Sequence, residues 1–128
     1  MIIGLGNDIC NIERIEQSYK KFGQHFIKRC FGKNEQEELQ QLADENKFCA
    51  SLAKRFAAKE AFSKALGTGF KNGLVWAEIE ILHKKDGQPY VCLSEKTEQL
   101  INEKGAKNIF VSLSDDYPFA QAVVIIEG

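Results

Sequence analysis

Arg55-Phe-Ala-Ala-Lys-Glu-Ala-Phe-Ser-Lys64 sets small and aromatic residues, which call for burial, among four charges: Arg55, Lys59, Glu60 and Lys64. The recurrence of apolar positions predicts a helix over about Lys47 to Leu66, with Leu52 and Phe56 on one stripe. Gly67 ends it, because the left-handed residue that closes a helix is least costly as glycine. Glu60 and Lys64 stand one helical turn apart in the favoured order, and spacing alone reads them as a surface ion pair worth about 0.3 kcal/mol. Arg55 and Lys59 have the same spacing with like charge, which repels unless something anionic sits between or above them. A phosphate would satisfy both.

On the N-terminal side, Met1 to Leu5 is a short β-rich run, and the Gly4, Gly6, Asn7, Asp8 cluster ends it, so Asp8 is expected at a strand end. Ile12, Ile15, Tyr19 and Phe22 predict a first helix closed by Gly23, and Asn34 with Glu37 resembles a capping box opening a second, polar helix. Past the Gly67-Thr68-Gly69 corner, Ala77 to Ile81 alternates and is joined through Asp86-Gly87 to Tyr90-Val91-Cys92-Leu93, a hairpin. Ser94 caps a helix through Lys104. Ile109, Val111 and Leu113 then alternate into a strand, and a last strand from Ala122 to Ile126 follows an Asp115-Asp116-Tyr117-Pro118 turn. Strands interleaved with helices in this order predict an α+β fold with a mainly antiparallel sheet, packed as a single domain over residues 1–128.

The 17 Lys and Arg against 18 Asp and Glu leave a formal charge of -1, so no global field draws the chain to nucleic acid or anionic lipid, and any anion site is local. The four cysteines form no CxxC pair and read as reduced, packed thiols. No run reaches the ~20 apolar residues of a membrane helix, and the N-terminus lacks a basic leader, so a cytoplasmic location is expected.

Asp8 reads locally as a cap or turn former, and His25 and His83 as solvent-facing polar residues. Were Asp8 and Glu60 brought together, their repulsion would call for a cation, and a hard divalent ion with oxygen ligands and positions left for phosphate, Mg²⁺, is the natural guest.

Gly4-Leu-Gly-Asn-Asp8-Ile-Cys-Asn-Ile-Glu-Arg14-Ile, the block from Arg55 to Gly69, and Val111-Ser112-Leu113-Ser114 together resemble the bacterial holo-acyl carrier protein synthases, the small 4'-phosphopantetheinyl transferases. The resemblance runs from Met1 to the final strand, and the central block is its most specific part. It implies the 4'-phosphopantetheinyl transferase fold with one long central helix, and a homotrimer binding coenzyme A between subunits. It also implies Mg²⁺ held by Asp8, Glu60 and the diphosphate, with an acyl carrier protein as second substrate.

By the same resemblance a carrier serine attacks the β-phosphate of coenzyme A and 3',5'-ADP leaves, in support of fatty acid biosynthesis. Glu60 is then the general base, with Asp8 the alternative, while Lys64 neutralises charge on the leaving nucleotide. Arg55 and Lys59 are candidate phosphate contacts, Arg55 to the 3'-phosphate. Gly67 and Gly69 either admit backbone to the ligand or only end the helix. Arg14, Lys21, Phe22, Phe26, Lys28 and Arg29 are expected to dock the acidic carrier.

One position departs from the family pattern. Asp115 stands where a histidine is common, and it would repel the phosphate unless turned away or bridged by a cation, of which the outward arrangement is expected. The rival readings are a nucleotide-diphosphate hydrolase using the same three residues, and a binding module without turnover.

Overall fold

The computed structural model describes residues 1–71 and 73–128. Its elements in chain order are β1 (Ile2–Asn11), α1 (Ile12–Phe22), α2 (Gln24–Cys30), α3 (Lys33–Gln40), α4 (Glu45–Leu66), β2 (Ile79–His83), β3 (Pro89–Leu93), α5 (Glu95–Asn102), β4 (Asn108–Asp116) and β5 (Phe119–Glu127), with short 3-10 turns at Gly69–Lys71 and Trp76–Glu78.

The long helix is the axis around which the rest is laid. Asp44 caps it by accepting from Asn46 N and Lys47 N, and Gly67 closes it at φ +80 with its N–H on the Lys64 carbonyl. It is enclosed on more than one side. Ala57, Ala58, Ala61 and Ala65 pack with Ala122, Val124 and Ile126 of β5, whereas Cys49, Leu52 and Ala53 pack with Ile12, Ile15, Ile27 and Leu39 of the first three helices and with Phe31 just beyond α2. Alanines on one side let helix and sheet approach closely, and the larger side chains fill the other.

β1, β5 and β4 form a three-stranded antiparallel sheet in that order, and the β2–β3 hairpin is a separate two-stranded sheet. Three expectations are corrected here. β1 does not stop at its glycines: it continues through Gly6 opposite Val124 and Asp8 opposite Ala122. A Cβ at Gly4 or Gly6 would collide with the Ala65 or Ala61 carbonyl of α4, so these glycines permit close packing rather than a turn, and Asp8 sits inside the strand. β4 likewise runs through Asp115 and Asp116, paired with Ala120 and Phe119, leaving only Tyr117 and Pro118 as the connection. The start of α3 is set by Gly32 rather than Asn34. Glu35 Oε1 accepts from Gly32 N, and the Glu80 carboxylate reaches across from β2 to accept from Asn34 N and Glu35 N. A side chain distant in sequence therefore does the capping, which no local pattern announces.

The sheet buries Ala120, Ala122, Val124 and Ile126 against α4. Its other face carries Leu5 and Ile9 of β1, Phe119 of β5 and Phe110 of β4, each at least half exposed.

Candidate active site

Asp8 faces α4 because Gly4, Gly6, Asp8 and Cys10 alternate toward it while Leu5, Asn7 and Ile9 point away. The helix presents Glu60 and, one turn on, Lys64 to the same place. Lys64 Nζ donates to Asp8 Oδ1 at 2.8 Å and to the Asn7 carbonyl at 3.1 Å. Burial pushes the Glu60 carboxyl above its ordinary pKa, the Asp8 charge pushes it further, and Lys64 pulls it partly back. Asp8, Glu60 and Lys64 thus share one corner where the strand crosses the helix. Cys10 lies two residues from Asp8, but burial foremost raises its thiol to about 11, so it stays protonated there. All four cysteines are free thiols, with Cys30 and Cys49 buried.

Gly67 and Gly69 take φ +80 and +60 just beyond this corner, with open space where a side chain would project. Positive φ accounts for glycine at both positions, and the space leaves their backbone accessible.

Arg55 and Lys59 point elsewhere. Arg55 is 3% exposed and donates to the Ile81 carbonyl at 2.7 Å, to Glu38 Oε1 at 2.8 Å and to Ser51 Oγ at 3.1 Å. His83, read from sequence as solvent-facing, is half-buried with Nδ1 3.0 Å from Glu38 Oε1. Burial alone would raise the Glu38 carboxyl, but the bonds from His83 and Arg55 outweigh it and hold it below the usual range. Lys59 is fully enclosed, so the expected phosphate contact does not exist in this structure. Its ammonium donates to Glu35 Oε1 at 2.6 Å, the Cys30 carbonyl at 2.5 Å and the Trp76 carbonyl at 2.9 Å. Burial pushes Glu35 up and Lys59 down from their ordinary values, each leaning on the other's charge to stay ionised. The like-charged neighbours Arg55 and Lys59 are compensated from within, by Glu38 and Glu35, and need no external anion to coexist.

Two of the clefts beside α4 hold residues singled out from the sequence. One, of about 740 Å³, is lined by Lys47, Lys54, Arg55, Glu38, His83 and Asp115. Asp115 lines this cleft, with its Oδ1 3.1 Å from Lys54 Nζ. The other, of about 320 Å³, is lined by Phe22, Phe26, Arg29, Phe56 and Trp76, together with His25. Trp76 is stacked between Phe56 at 4.6 Å and Phe70 at 4.0 Å. Arg14, Lys21, Lys28 and Arg29 are exposed on α1 and α2, and Arg29 lines this aromatic cleft. Sequence reading missed Lys54, Glu35, Glu38 and Trp76. The only signals for them were a second lysine beside Arg55 and two glutamates one turn apart on a polar helix.

Residues 4–122 match the family model described as 4'-phosphopantetheinyl transferase superfamily. A Holo-[acyl-carrier-protein] synthase of Caulobacter vibrioides is 44% identical over 132 aligned positions that cover 100% of this chain and 97% of that protein. Among solved structures, the holo-[acyl-carrier-protein] synthase of Neisseria meningitidis has a TM-score of 0.92 at 37% identity, covering 100% of both chains. That of Helicobacter pylori, in complex with coenzyme A, has 0.83 at 32%, covering 96% of this chain and 99% of its own. The chain belongs to the 4'-phosphopantetheinyl transferase superfamily, within its holo-[acyl-carrier-protein] synthase family, and is a transferase.

Proposed function

We propose that the chain moves the 4'-phosphopantetheine arm of coenzyme A onto a serine of apo-acyl carrier protein, in a Mg²⁺-dependent reaction that releases 3',5'-ADP and supports fatty acid biosynthesis in the cytoplasm. The observation that carries this reading is the meeting of Asp8, Glu60 and Lys64 at one corner. The coenzyme A bound to the Helicobacter pylori relative supports the choice of donor.

The donor set fits a hard divalent ion. Two carboxylates close enough for one to raise the other's pKa offer oxygen ligands, with the remaining positions left to substrate phosphates, as Mg²⁺ prefers. Asp8 and Glu60 would hold it, and when bound it neutralises the non-bridging oxygens of the diphosphate.

The chain's own groups then do the following. Glu60, its carboxyl raised above the ordinary value by burial and by Asp8, takes the proton of the incoming serine hydroxyl. That oxygen forms a bond to the β-phosphorus as the bond from phosphorus to the bridging oxygen breaks. Lys64, more than half exposed, exchanges Asp8 for the phosphate that departs with adenosine. The open backbone at Gly67 and Gly69 lets the diphosphate approach without a side chain in the way. The cleft holding Lys47, Lys54 and Arg55 suits the nucleotide's 3'-phosphate.

Arg14, Lys21, Lys28 and Arg29 form the basic surface for an acidic carrier, and the aromatic cleft beside them, with Phe22 and Phe26, accepts an apolar carrier side chain. A homotrimer is supported by the bare apolar face of Leu5, Ile9, Phe110 and Phe119, since such a patch is costly in water.

The test is to mix the protein with apo-carrier, coenzyme A and Mg²⁺ and weigh the carrier by mass spectrometry. A gain of one phosphopantetheine arm per carrier is expected. Free phosphopantetheine with unmodified carrier would instead make the chain a hydrolase.

A further inference from the structure

We infer that Lys59 is a positioning residue for carrier docking: by bonding the Cys30 and Trp76 carbonyl oxygens it fixes two walls of the aromatic cleft relative to Glu60. The inference rests on the carrier reading above and assigns Lys59 a task there.

Cys30 is the last residue of α2, the helix that carries Phe26, Lys28 and Arg29. Trp76 opens the 3-10 turn on the opposite side of the cleft, and its ring forms part of the cleft wall. These two segments lie far apart in sequence, and their carbonyl oxygens converge on one ammonium, at 2.5 and 2.9 Å. The ammonium belongs to the residue before Glu60, and Phe56, one turn earlier on α4, is a third wall of the cleft. A displacement of Lys59 therefore moves the cleft relative to the Glu60 carboxylate.

Glu35 has a different task. It answers the lysine's charge at 2.6 Å and takes up the Gly32 and Ile81 amides, and the Phe31 ring lies 4.9 Å from Nζ. A buried ion pair is by itself a poor stabiliser, since apolar groups of similar volume often do as well. Apolar groups cannot bond two backbone carbonyls, however, and a carbonyl left bare in the interior carries its full desolvation cost unless its segment shifts toward water. Those shifts would occur at α2 and at Trp76.

Two variants separate the roles. Lys59→Met with Glu35→Met removes both charges and leaves the two carbonyls unpaired, together with the Gly32 and Ile81 amides that Glu35 takes up. Glu35→Gln leaves Lys59 in place, and even as a neutral amine it still donates to both carbonyl oxygens. Each is assayed for coenzyme A affinity by calorimetry and for KM and kcat with carrier. The double variant is expected to raise the carrier KM at least ~10-fold, with coenzyme A affinity and kcat each within about 3-fold of the parent. Glu35→Gln is expected to leave the carrier KM within about 3-fold.

A double variant with an unchanged carrier KM overturns the inference. So does one that loses coenzyme A instead, which would restore the phosphate contact. If the double variant does not fold, Glu35→Gln decides: a ~10-fold higher carrier KM would show that the charge pair, and not the carbonyl bonds, sets the cleft. A parent protein that transfers no arm to any apo-carrier would sink the function reading itself, a result distinct from all of these.

Discussion

Lys64 Nζ lies 2.8 Å from Asp8 Oδ1, so a lysine stands on the ground a divalent cation would take in front of that carboxylate. In the proposed reaction the ion and Lys64 would compete for Asp8 until a phosphate drew Lys64 away. Lys64→Met is therefore expected to bind Mg²⁺ more tightly than the parent when no coenzyme A is present, while turnover falls at least ~10²-fold. Calorimetric titration of Mg²⁺ checks the first half. Equal or weaker Mg²⁺ binding in the variant would show that Lys64 and the ion do not share the site.

Glu60 gives a prediction in which stability and activity move in opposite directions. Its carboxyl is raised above the ordinary 4.5 by burial and by Asp8, so the folded state holds a proton more tightly than the unfolded one. Stability is then lost as pH rises from the unfolded value through the folded one, and the ionised form is the strained one at neutral pH. Glu60→Gln is expected to raise Tm at pH 7 and to give no gain near pH 4, where the parent carboxyl is already protonated. Thermal melts at the two pH values check this. A lower Tm at pH 7 would mean that Glu60 is held by stabilising partners.

The Lys54–Asp115 pair, 3.1 Å apart at the edge of the large cleft, bears on phosphate selectivity. Asp115 holds a cation that a phosphate could use. Asp115→Asn is expected to tighten coenzyme A several-fold and leave dephospho-coenzyme A unchanged, with Lys54→Ala moving coenzyme A the other way. Binding titrations with both nucleotides check it. Equal shifts for the two would remove the cleft from 3'-phosphate recognition.

The bare sheet face predicts assembly. Leu5→Glu with Phe110→Glu places charge on two opposed strands flanking Ile125, and is expected to reduce a trimer to monomers and to abolish transfer. Sedimentation of parent and variant checks the first part. A parent that sediments as a monomer would leave the face without its proposed partner.

How much of this could be read from the chain follows from what each signal measures. α4 was legible because its apolar recurrence and Gly67 are local features, although its Asp44 cap went unread and it starts two residues earlier than expected; the hairpin and α5 were legible for the same reason. The corner of Asp8, Glu60 and Lys64 was reached by resemblance, since no spacing connects residue 8 to residue 60. Gly4 and Gly6 misled because a glycine that admits a helix backbone looks in sequence like one that turns the chain. Lys59 misled for a similar reason: a charge reads as exposed until its partner Glu35 is seen, and that partner comes from another helix. α2 passed unannounced because its few residues follow Gly23 without a side-chain cap.

The most direct measurement is the single-turnover rate at which Glu60→Gln moves the phosphopantetheine arm from coenzyme A to apo-carrier at saturating Mg²⁺, read by the mass of the carrier. With coenzyme A still bound, the rate is expected to fall at least ~10²-fold below the parent, the scale of a lost general base. A variant that transfers the arm at close to the parent rate would remove Glu60, and with it the corner it shares with Asp8 and Lys64, from the chemistry.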